Sequence, residues 1–187
     1  MKIISGFLRG CIIPTVKDAK YRPSTGKFKE ALFSILASAD KLKGMTVLDL
    51  FSGTGSLGFE ALSRGAHHVT FIDIDSTHLN TAKSFAEKHN LTEQTKFLKA
   101  DSTNLVPTTL KYDLVLLDPP YGKSMSEKAL ATLHKSAWLK DRAMIVIEVG
   151  AREDVNLPAW CEMIETRIYG GSKMIIASFH LHNAIPG

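Results

Sequence analysis

Apolar and polar positions alternate between residues 45 and 150 in a pattern that predicts strands and helices in turn. Short apolar runs are typical of strands buried on both faces of a sheet. They predict strands over 46–50, 69–73, 96–100, 113–117 and 143–148. The segments between them predict helices over 56–64, 77–89 and 125–137. Alternating strands and helices form right-handed βαβ units, so we expect an α/β fold with a doubly wound, mostly parallel sheet.

The amino-terminal part follows a different pattern. Ile3–Ile4 and Cys11–Ile13, separated by glycines, predict a short β-hairpin. Further along, apolar residues recur at helical spacing from Phe28 to Leu36. They predict an amphipathic helix that begins after Ser24, a suitable N-cap, and ends near Ser38. We therefore expect a hairpin and helix extension over residues 1–40.

The carboxyl-terminal part also departs from the βαβ pattern. Met163–Ile168 and Met174–Leu181, joined by a Gly-Gly-Ser turn, predict an antiparallel strand pair that completes the sheet. Together with the alternating elements they predict a core over residues 41–187. A chain of 187 residues is a natural length for one domain, so extension and core are expected to form a single domain.

Composition narrows the class of protein. Hydrophobic residues make up 44% of the chain and charged residues 22%, which is ordinary for a globular protein. The sequence shows neither an apolar run of about 20 residues nor the apolar core of a signal peptide. Its two cysteines, Cys11 and Cys161, have no metal-ligand spacing. We therefore expect a cytoplasmic protein with reduced thiols, no membrane partner and no metal. Because no spare apolar helix indicates a dimer interface, we also expect a monomer.

Positive charge is concentrated in the extension. Residues 1–30 carry seven basic and two acidic side chains, a balance of +5. The rest of the chain carries sixteen basic and seventeen acidic side chains, so its balance is −1. A run of charge is most often a solvated surface. Close to a site that binds a nucleotide base, however, the same charge is typical of a surface that contacts phosphates.

A glycine turn follows the first predicted strand. Gly53, Gly55 and Gly58 fit the G-x-G-x-x-G pattern, which alone is a weak signal. A dinucleotide-binding protein has the same pattern with an acid about 20 residues later, and Asp73 roughly fills that place. Asp49 favours another ligand, because a carboxylate there repels a pyrophosphate. S-adenosylmethionine carries an ammonium and a sulfonium that suit Asp49, so we favour this methyl donor over NAD.

A second motif follows the fourth predicted strand, 113–117. It consists of Asp118, Pro119, Pro120 and Tyr121. Two prolines fix the backbone and remove two N–H donors, which leaves carbonyl groups to face a ligand. A carboxylate before them and an aromatic ring after them suit a planar nitrogen base with an amino group. An ordinary Asp-Pro-Pro turn is the structural alternative.

With these residues identified, the chain resembles the RsmD-type methyltransferases over nearly its whole length. Five segments support the resemblance: Ile4–Gly10, Arg22–Thr25, Lys29–Phe33, Asp49–Gly58 and Asp118–Tyr121. The glycine turn and the Asp-Pro-Pro-Tyr motif are shared by many amino-directed methyltransferases, whereas the Arg-Pro-Ser segment narrows the family. Gly26, Lys27 and Lys29 stand where this family has an acid and two arginines. Lysine keeps the charge but loses the planar fork that binds phosphate at two points.

The resemblance implies a Rossmann-like class I methyltransferase fold and a role for each matching residue. The donor S-adenosylmethionine would contact Asp49, Phe51, Ser52, Gly53, Gly55, Asp73, Ile74, Asp101 and Ser102, with Asp73 at the ribose and Asp101 and Ser102 at the adenine. Asp118, Pro119, Pro120 and Tyr121 would form the catalytic loop. Ribosomal RNA, free or within a small-subunit assembly particle, would contact Arg9, Arg22, Lys27 and Lys29, with the two lysines expected on the exposed side of the predicted helix.

The implied reaction is methylation of the exocyclic N2 of a guanine in small-subunit ribosomal RNA. Several alternatives stay open at this stage. Protein-glutamine and DNA-adenine N-methyltransferases use the same loop, and a non-catalytic RNA-binding module is a third class. Asp75 is the neighbour that could replace Asp73 at the ribose. A strand-end acid such as Asp101 often only caps the segment that follows it. Glu148 is a candidate second acceptor, although a structural role fits it better.

Overall fold

Seven strands and four helices lie in the residues that the computed structural model describes, which are 1–16, 26–37, 42–120 and 124–181. The strands are β1 Thr46–Leu50, β2 His68–Asp73, β3 Thr95–Lys99, β4 Tyr112–Leu117, β5 Leu139–Gly150, β6 Cys161–Tyr169 and β7 Ser172–Phe179. The helices are α1 Gly26–Ala37, α2 Ser56–Ser63, α3 Ser76–Lys88 and α4 Met125–Lys135, with a 3₁₀ turn over Thr92–Gln94.

All seven strands belong to one sheet in the order β3-β2-β1-β4-β5-β7-β6. Strands β1 to β5 pair in parallel, whereas β7 is antiparallel to both β5 and β6. The predicted fold class is thereby confirmed, including the antiparallel pair at the carboxyl end. Strand order reverses between β1 and β4, and in open α/β sheets ligands bind beyond the carboxyl ends of the strands at such a point.

Most element boundaries lie within two residues of the predicted ones, but β5 begins four residues earlier than expected. Its first residue, Leu139, pairs with Tyr112, and the register then shifts before Leu114. Lys140–Arg142 is polar and Arg142 has a φ of 60°, so this stretch resembles a turn in sequence. Pairing with β4 nevertheless extends the strand. The predicted helix start at Ser24 and its end near Ser38 lie outside the described residues.

Apolar side chains cover both faces of the sheet. One layer contains residues of α1, α2 and α3 together with the hairpin, and the other is formed largely by α4 and β5. In the first layer the rings of Phe59 and Phe71 lie 4.7 Å apart, beside the glycine turn. A Cβ at Gly55 would lie 2.8 Å from the Phe71 ring, and one at Gly58 would lie 2.3 Å from it. Packing therefore requires glycine at both positions.

The amino-terminal hairpin packs against the end of α2. It contains one antiparallel bridge, between Lys2 and Ile12. The amide of Leu8 donates to Ser63 Oγ at 3.0 Å, and that hydroxyl in turn donates to the carbonyl of Ser5. Gly6 has a φ of 83°, and a Cβ there would lie 1.6 Å from the Ser63 carbonyl oxygen. The hairpin is therefore an integral part of the domain.

Glu60, in the middle of α2, joins the hairpin to the core. Its carboxylate is fully buried and accepts from the amides of Ile4, at 2.8 Å, and Ser5, at 3.1 Å. It also accepts from Arg64 Nε at 2.8 Å and lies 3.6 Å from Lys29 Nζ. Two cations and two amides therefore converge on one buried carboxylate.

The prediction that Lys29 lies on the exposed side of α1 is wrong. Its side chain is only 4% exposed, and Nζ donates to the Lys2 carbonyl at 2.8 Å and to Ser56 Oγ at 3.3 Å. Lys29 lies on the same helix stripe as Phe33 and Leu36, which are buried. Burial lowers the pKa of Lys29, while Glu60 partly restores it. The lysine therefore lies beside Glu60 inside the protein, and its contact with RNA stays a prediction.

Candidate functional site

Three carboxylates converge at the carboxyl edge of the sheet. Asp49 is the fourth residue of β1, Asp73 is the last of β2, and Asp118 follows β4 directly. Burial raises the pKa of Asp49 well above its ordinary value. The 2.9 Å hydrogen bond from the Gly58 amide lowers this pKa, whereas the negative charges of Asp118 and Asp73 raise it further. A cluster of carboxylates of this kind favours a cationic ligand and disfavours a pyrophosphate.

The turn between β1 and α2 has an unusual backbone. Phe51, Gly53 and Gly55 have φ values of 57°, 53° and 85°, all in the left-handed region that glycine adopts most readily. Hydrogen bonds hold this turn against β2, because Asp73 Oδ2 accepts from the Gly53 amide at 2.7 Å and the Ser52 amide donates to the Ile72 carbonyl at 3.0 Å. The turn is therefore held in shape by the protein itself.

Two hydroxyls of this turn fit a polar ligand. Ser52 Oγ and Thr54 Oγ1 are buried and have no hydrogen-bond partner among the described residues. A buried polar group without a partner typically costs about 1–3 kcal/mol, so such groups are uncommon unless a ligand or water satisfies them. With the three carboxylates, they suit a ligand that carries ammonium, sulfonium and carboxylate groups. The residues present therefore fit S-adenosylmethionine.

Asp73 and its neighbours form the next part of this edge. Its second oxygen, Oδ1, accepts from the Asp75 amide at 2.8 Å and lies 3.7 Å from His78 Nδ1. Asp75 itself caps α3, because its carboxylate accepts from the Thr77 amide. Ile74, between the two acids, is 68% exposed and provides an apolar surface at the same edge. Asp73 thus faces the glycine turn, whereas Asp75 faces the helix.

Asp101 and Ser102, after β3, differ in orientation. Asp101 is exposed, and hydrogen bonds from the hydroxyl and the amide of Thr103 lower its pKa. Ser102 is buried, and its hydroxyl accepts from the Phe51 amide at 3.3 Å. The aspartate therefore caps its own turn, as the structural alternative expects, while the serine contacts the glycine turn. Their roles at the adenine stay predictions.

The Asp-Pro-Pro segment leaves β4 beside the acidic cluster. Asp118 is half-buried, Pro119 is buried and Pro120 is exposed. Glu148 is buried in β5, one residue after Ile147, whose register partner is Leu117 at the end of β4. Glu148 therefore occupies the position in β5 that adjoins Asp118. Tyr121 lies outside the described residues, so its stacking role stays a prediction from the sequence.

The basic residues predicted to contact RNA fall into three groups. Arg9, on the hairpin, and Lys27, in the first turn of α1, are exposed. Lys29 is buried against Glu60, as described above. Arg22 lies outside the described residues. Among the residues described, no helix is long and apolar enough to cross a bilayer, and no group of His, Cys, Asp or Glu is arranged to hold a metal ion.

Sequence reasoning missed Glu60, because a glutamate inside a helix is usually exposed. A signal for its burial did exist. Glu60 is the one charged residue of α2, whose other residues are apolar or small. A helix that is apolar all round is buried, so a single charge within it requires a partner. One partner, Arg64, follows at helical i,i+4 spacing. The buried partner Lys29 could not be identified from sequence, because it is 31 positions away.

Comparison with known proteins shows similarity over almost the entire chain. A family described as "Conserved hypothetical protein 95" matches residues 1–178. An uncharacterized methylase of Rickettsia prowazekii is 36% identical, with 97% of this chain and 99% of the relative covered. Ribosomal RNA small subunit methyltransferase D of Haemophilus influenzae is 31% identical, with 97% and 93% covered. The solved structure of yhhF from Escherichia coli has a TM-score of 0.84 at 25% identity, covering 96% of this chain and 98% of that one.

Proposed function

This chain belongs to the RsmD-type methyltransferase family, and on that premise we propose that it methylates the exocyclic N2 of a guanine in small-subunit ribosomal RNA. The relatives support the coarser part, which is methylation of ribosomal RNA with S-adenosylmethionine as donor. The choice of guanine N2 rests on the resemblance and on the chemistry of the Asp-Pro-Pro-Tyr loop. We place the activity in the cytoplasm, where ribosomal RNA is modified in bacteria.

The convergence of Asp49, Asp73 and Asp118 beside the glycine turn is the observation that supports this proposal most strongly. When bound, S-adenosylmethionine supplies an electrophilic methyl group on a positively charged sulfur. The acidic cluster stabilises the positive charges of such a ligand. The turn formed by Gly53 and Gly55 would lie against its methionine part, and Asp73, which accepts from the Gly53 amide, would accept from its ribose hydroxyls.

Asp118 and Pro119 act on the target base in this account. The lone pair of guanine N2 is delocalised into the ring, which makes this nitrogen a poor nucleophile. Two acceptors, the Asp118 carboxylate and the Pro119 carbonyl, can bind the two amino hydrogens and draw them out of the ring plane. The prolines keep these acceptors fixed, and Tyr121 is proposed to stack on the base after it has left its neighbours. Orientation of the two reactants supplies much of the rate.

A separate general base is not required by this scheme. The nitrogen forms a bond to the methyl carbon, the carbon–sulfur bond breaks, and one amino proton leaves N2. Because N2 becomes strongly acidic as the new bond forms, water can take that proton. Glu148 adjoins Asp118 and is an alternative to Pro119 as the second acceptor, although its burial fits a structural role better.

A methyl-transfer assay with tritiated donor tests the proposal against its alternatives. The substrates compared are bare small-subunit ribosomal RNA, isolated small subunits, duplex DNA and total protein. We expect label in ribosomal RNA, and a preference between the first two substrates would distinguish free RNA from an assembled particle. Label in DNA or protein instead would support an adenine or glutamine methyltransferase, and no label with intact RNA binding would support a non-catalytic module.

Replacement of Asp73 by Ala should weaken binding of S-adenosylmethionine about ten- to a hundredfold, because loss of a charge-assisted hydrogen bond costs roughly 1.5–3 kcal/mol. The variant also removes the acceptor of the Gly53 amide. Calorimetric titration measures the change. Asp75→Ala is the matched control, since its carboxylate is two residues away but caps α3. If Asp75→Ala loses more donor affinity than Asp73→Ala, the ribose contact belongs to Asp75.

A further inference from the structure

A groove separates the amino-terminal hairpin from α3, and none of the roles assigned above involves it. Its volume is about 460 Å³. Two residues of the hairpin and six of α3 line this hairpin–α3 groove: Ile12, Pro14, Thr77, Asn80, Thr81, Ser84, Phe85 and Lys88. The groove is therefore built where the basic extension meets the core.

The α3 wall of the groove is a stripe of small polar side chains. Thr77, Asn80, Ser84 and Lys88 are exposed and follow one another at intervals of three or four residues, which places them on one face of the helix. Thr81, on the same face, donates its hydroxyl hydrogen to the Thr77 carbonyl at 2.9 Å, so its oxygen can still accept. This wall offers hydroxyl and amide groups along its length and a cation at its end.

The hairpin wall is apolar with a cation beside it. Ile12 is 71% exposed, although it lies next to the fully buried Ile13. Lys2 is the bridge partner of Ile12, and directly opposed residues of an antiparallel pair project to the same face. Lys2 is exposed as well. One lysine, Lys88, therefore lines the groove, and a second, Lys2, lies beside its hairpin wall. The nearby acid Glu87 is within 3.9 Å of Lys83.

The position of the groove relates it to the methyl-transfer site. Thr77 comes four residues after Asp73, which ends β2 at the edge with the three carboxylates. From Thr77 to Lys88 the helix rises about 16 Å, so the groove begins close to that edge and leads away from it. A strand that presents a nucleotide to Asp118 could continue along this path.

We propose that the hairpin–α3 groove binds the RNA strand that flanks the target nucleotide, an inference that rests on the proposed function. Protein contacts to sugar and phosphate come mainly from lysine, arginine, hydroxyl and amide side chains, which are the groups on the α3 wall. Hydroxyl and amide groups also pair with the 2′-hydroxyl that distinguishes RNA from DNA. Ile12 and Pro14 provide an apolar surface for a sugar or an unstacked base.

Charge reversal inside and outside the groove tests the inference. Lys88→Glu and Ser84→Glu each place a carboxylate in the groove, whereas Lys83→Glu makes the same charge change as Lys88→Glu on another face of α3. We expect each groove variant to weaken binding of bare small-subunit ribosomal RNA at least tenfold, and Lys83→Glu less than threefold. The milder Lys88→Gln should reduce the slope of log affinity against log salt by about 0.7–0.9. Donor affinity should stay unchanged in all four variants.

Three outcomes would overturn the inference. Equal losses for Lys88→Glu and Lys83→Glu would show that only overall charge matters. Unchanged RNA binding in every variant would exclude RNA as the occupant. If the variants bind bare RNA normally but methylate small subunits more slowly, the groove binds a ribosomal protein and not RNA. Failure of the proposed function is distinguishable, because it appears as absence of RNA methylation by the unaltered protein, whereas the groove is judged by how each variant differs from the unaltered protein.

Discussion

Replacement of Asp118 by Ala is expected to abolish methyl transfer while donor affinity stays within a few-fold of that of the unaltered protein. The carboxylate is proposed to bind the target amine, so its loss leaves N2 without one of its two acceptors. Asp118 lies at the carboxyl end of β4, whereas the glycine turn that is proposed to contact the donor follows β1. Single-turnover transfer to ribosomal RNA and calorimetric titration of the donor separate the two effects.

Asp113→Ala is the matched control, because Asp113 lies in the same strand at its opposite end. Its carboxylate accepts from the amide and hydroxyl of Thr46 and from Lys140. Burial alone would raise the pKa of Asp113, but these hydrogen bonds lower it. The control should therefore lose stability and keep its turnover. Near-normal turnover of Asp118→Ala would instead show that the Asp-Pro-Pro segment is a structural turn.

Replacement of Glu60 by Ala should lower the free energy of unfolding by about 3–5 kcal/mol, the usual cost of removing one partner of a buried ion pair. The variant leaves Lys29 in the interior without its carboxylate partner and two amides of the hairpin without an acceptor. Denaturant unfolding measures the change. Glu87→Ala, which removes an exposed acid near Lys83, should cost less than about 1 kcal/mol.

A double variant separates the ion pair from simple loss of packing. If Lys29 is destabilising once Glu60 is absent, Lys29→Met should restore part of the stability lost in Glu60→Ala. The two changes should then be clearly non-additive, because the residues are in contact. A loss below about 1 kcal/mol for Glu60→Ala, or full additivity of the two changes, would contradict this account of how the hairpin is held.

Sequence patterns predict the core of this fold well because each signal is local. The apolar runs that become β1 and β4 are buried on both faces, so their composition alone identifies them. The start of β5 could not be predicted in the same way. Lys140–Arg142 has the composition of a turn, and the strand begins before it only because Leu139 pairs with Tyr112 of β4. Long-range pairing of this kind leaves no trace in the local pattern.

The same distinction applies to the site. Asp49, Asp73 and Asp118 could be predicted because each lies at or near the end of a parallel strand, and such ends meet at one edge of a sheet. Helical spacing predicts Lys29 on the surface, because it does not show a charged partner such as Glu60 on another helix. For Asp101 and Ser102, the local pattern contains no reason why one side chain turns to its own loop and the other to Phe51.

Analysis of the methylated nucleoside tests the central claim most directly. The purified protein is incubated with small-subunit ribosomal RNA, bare and within small subunits, and with donor labelled by deuterium in its methyl group. The RNA is then digested to nucleosides, which are separated and identified by mass spectrometry. Our account predicts that the label appears as N2-methylguanosine and is lost in Asp118→Ala. Label in another nucleoside, such as N6-methyladenosine, or its absence from RNA with either substrate, would contradict the account.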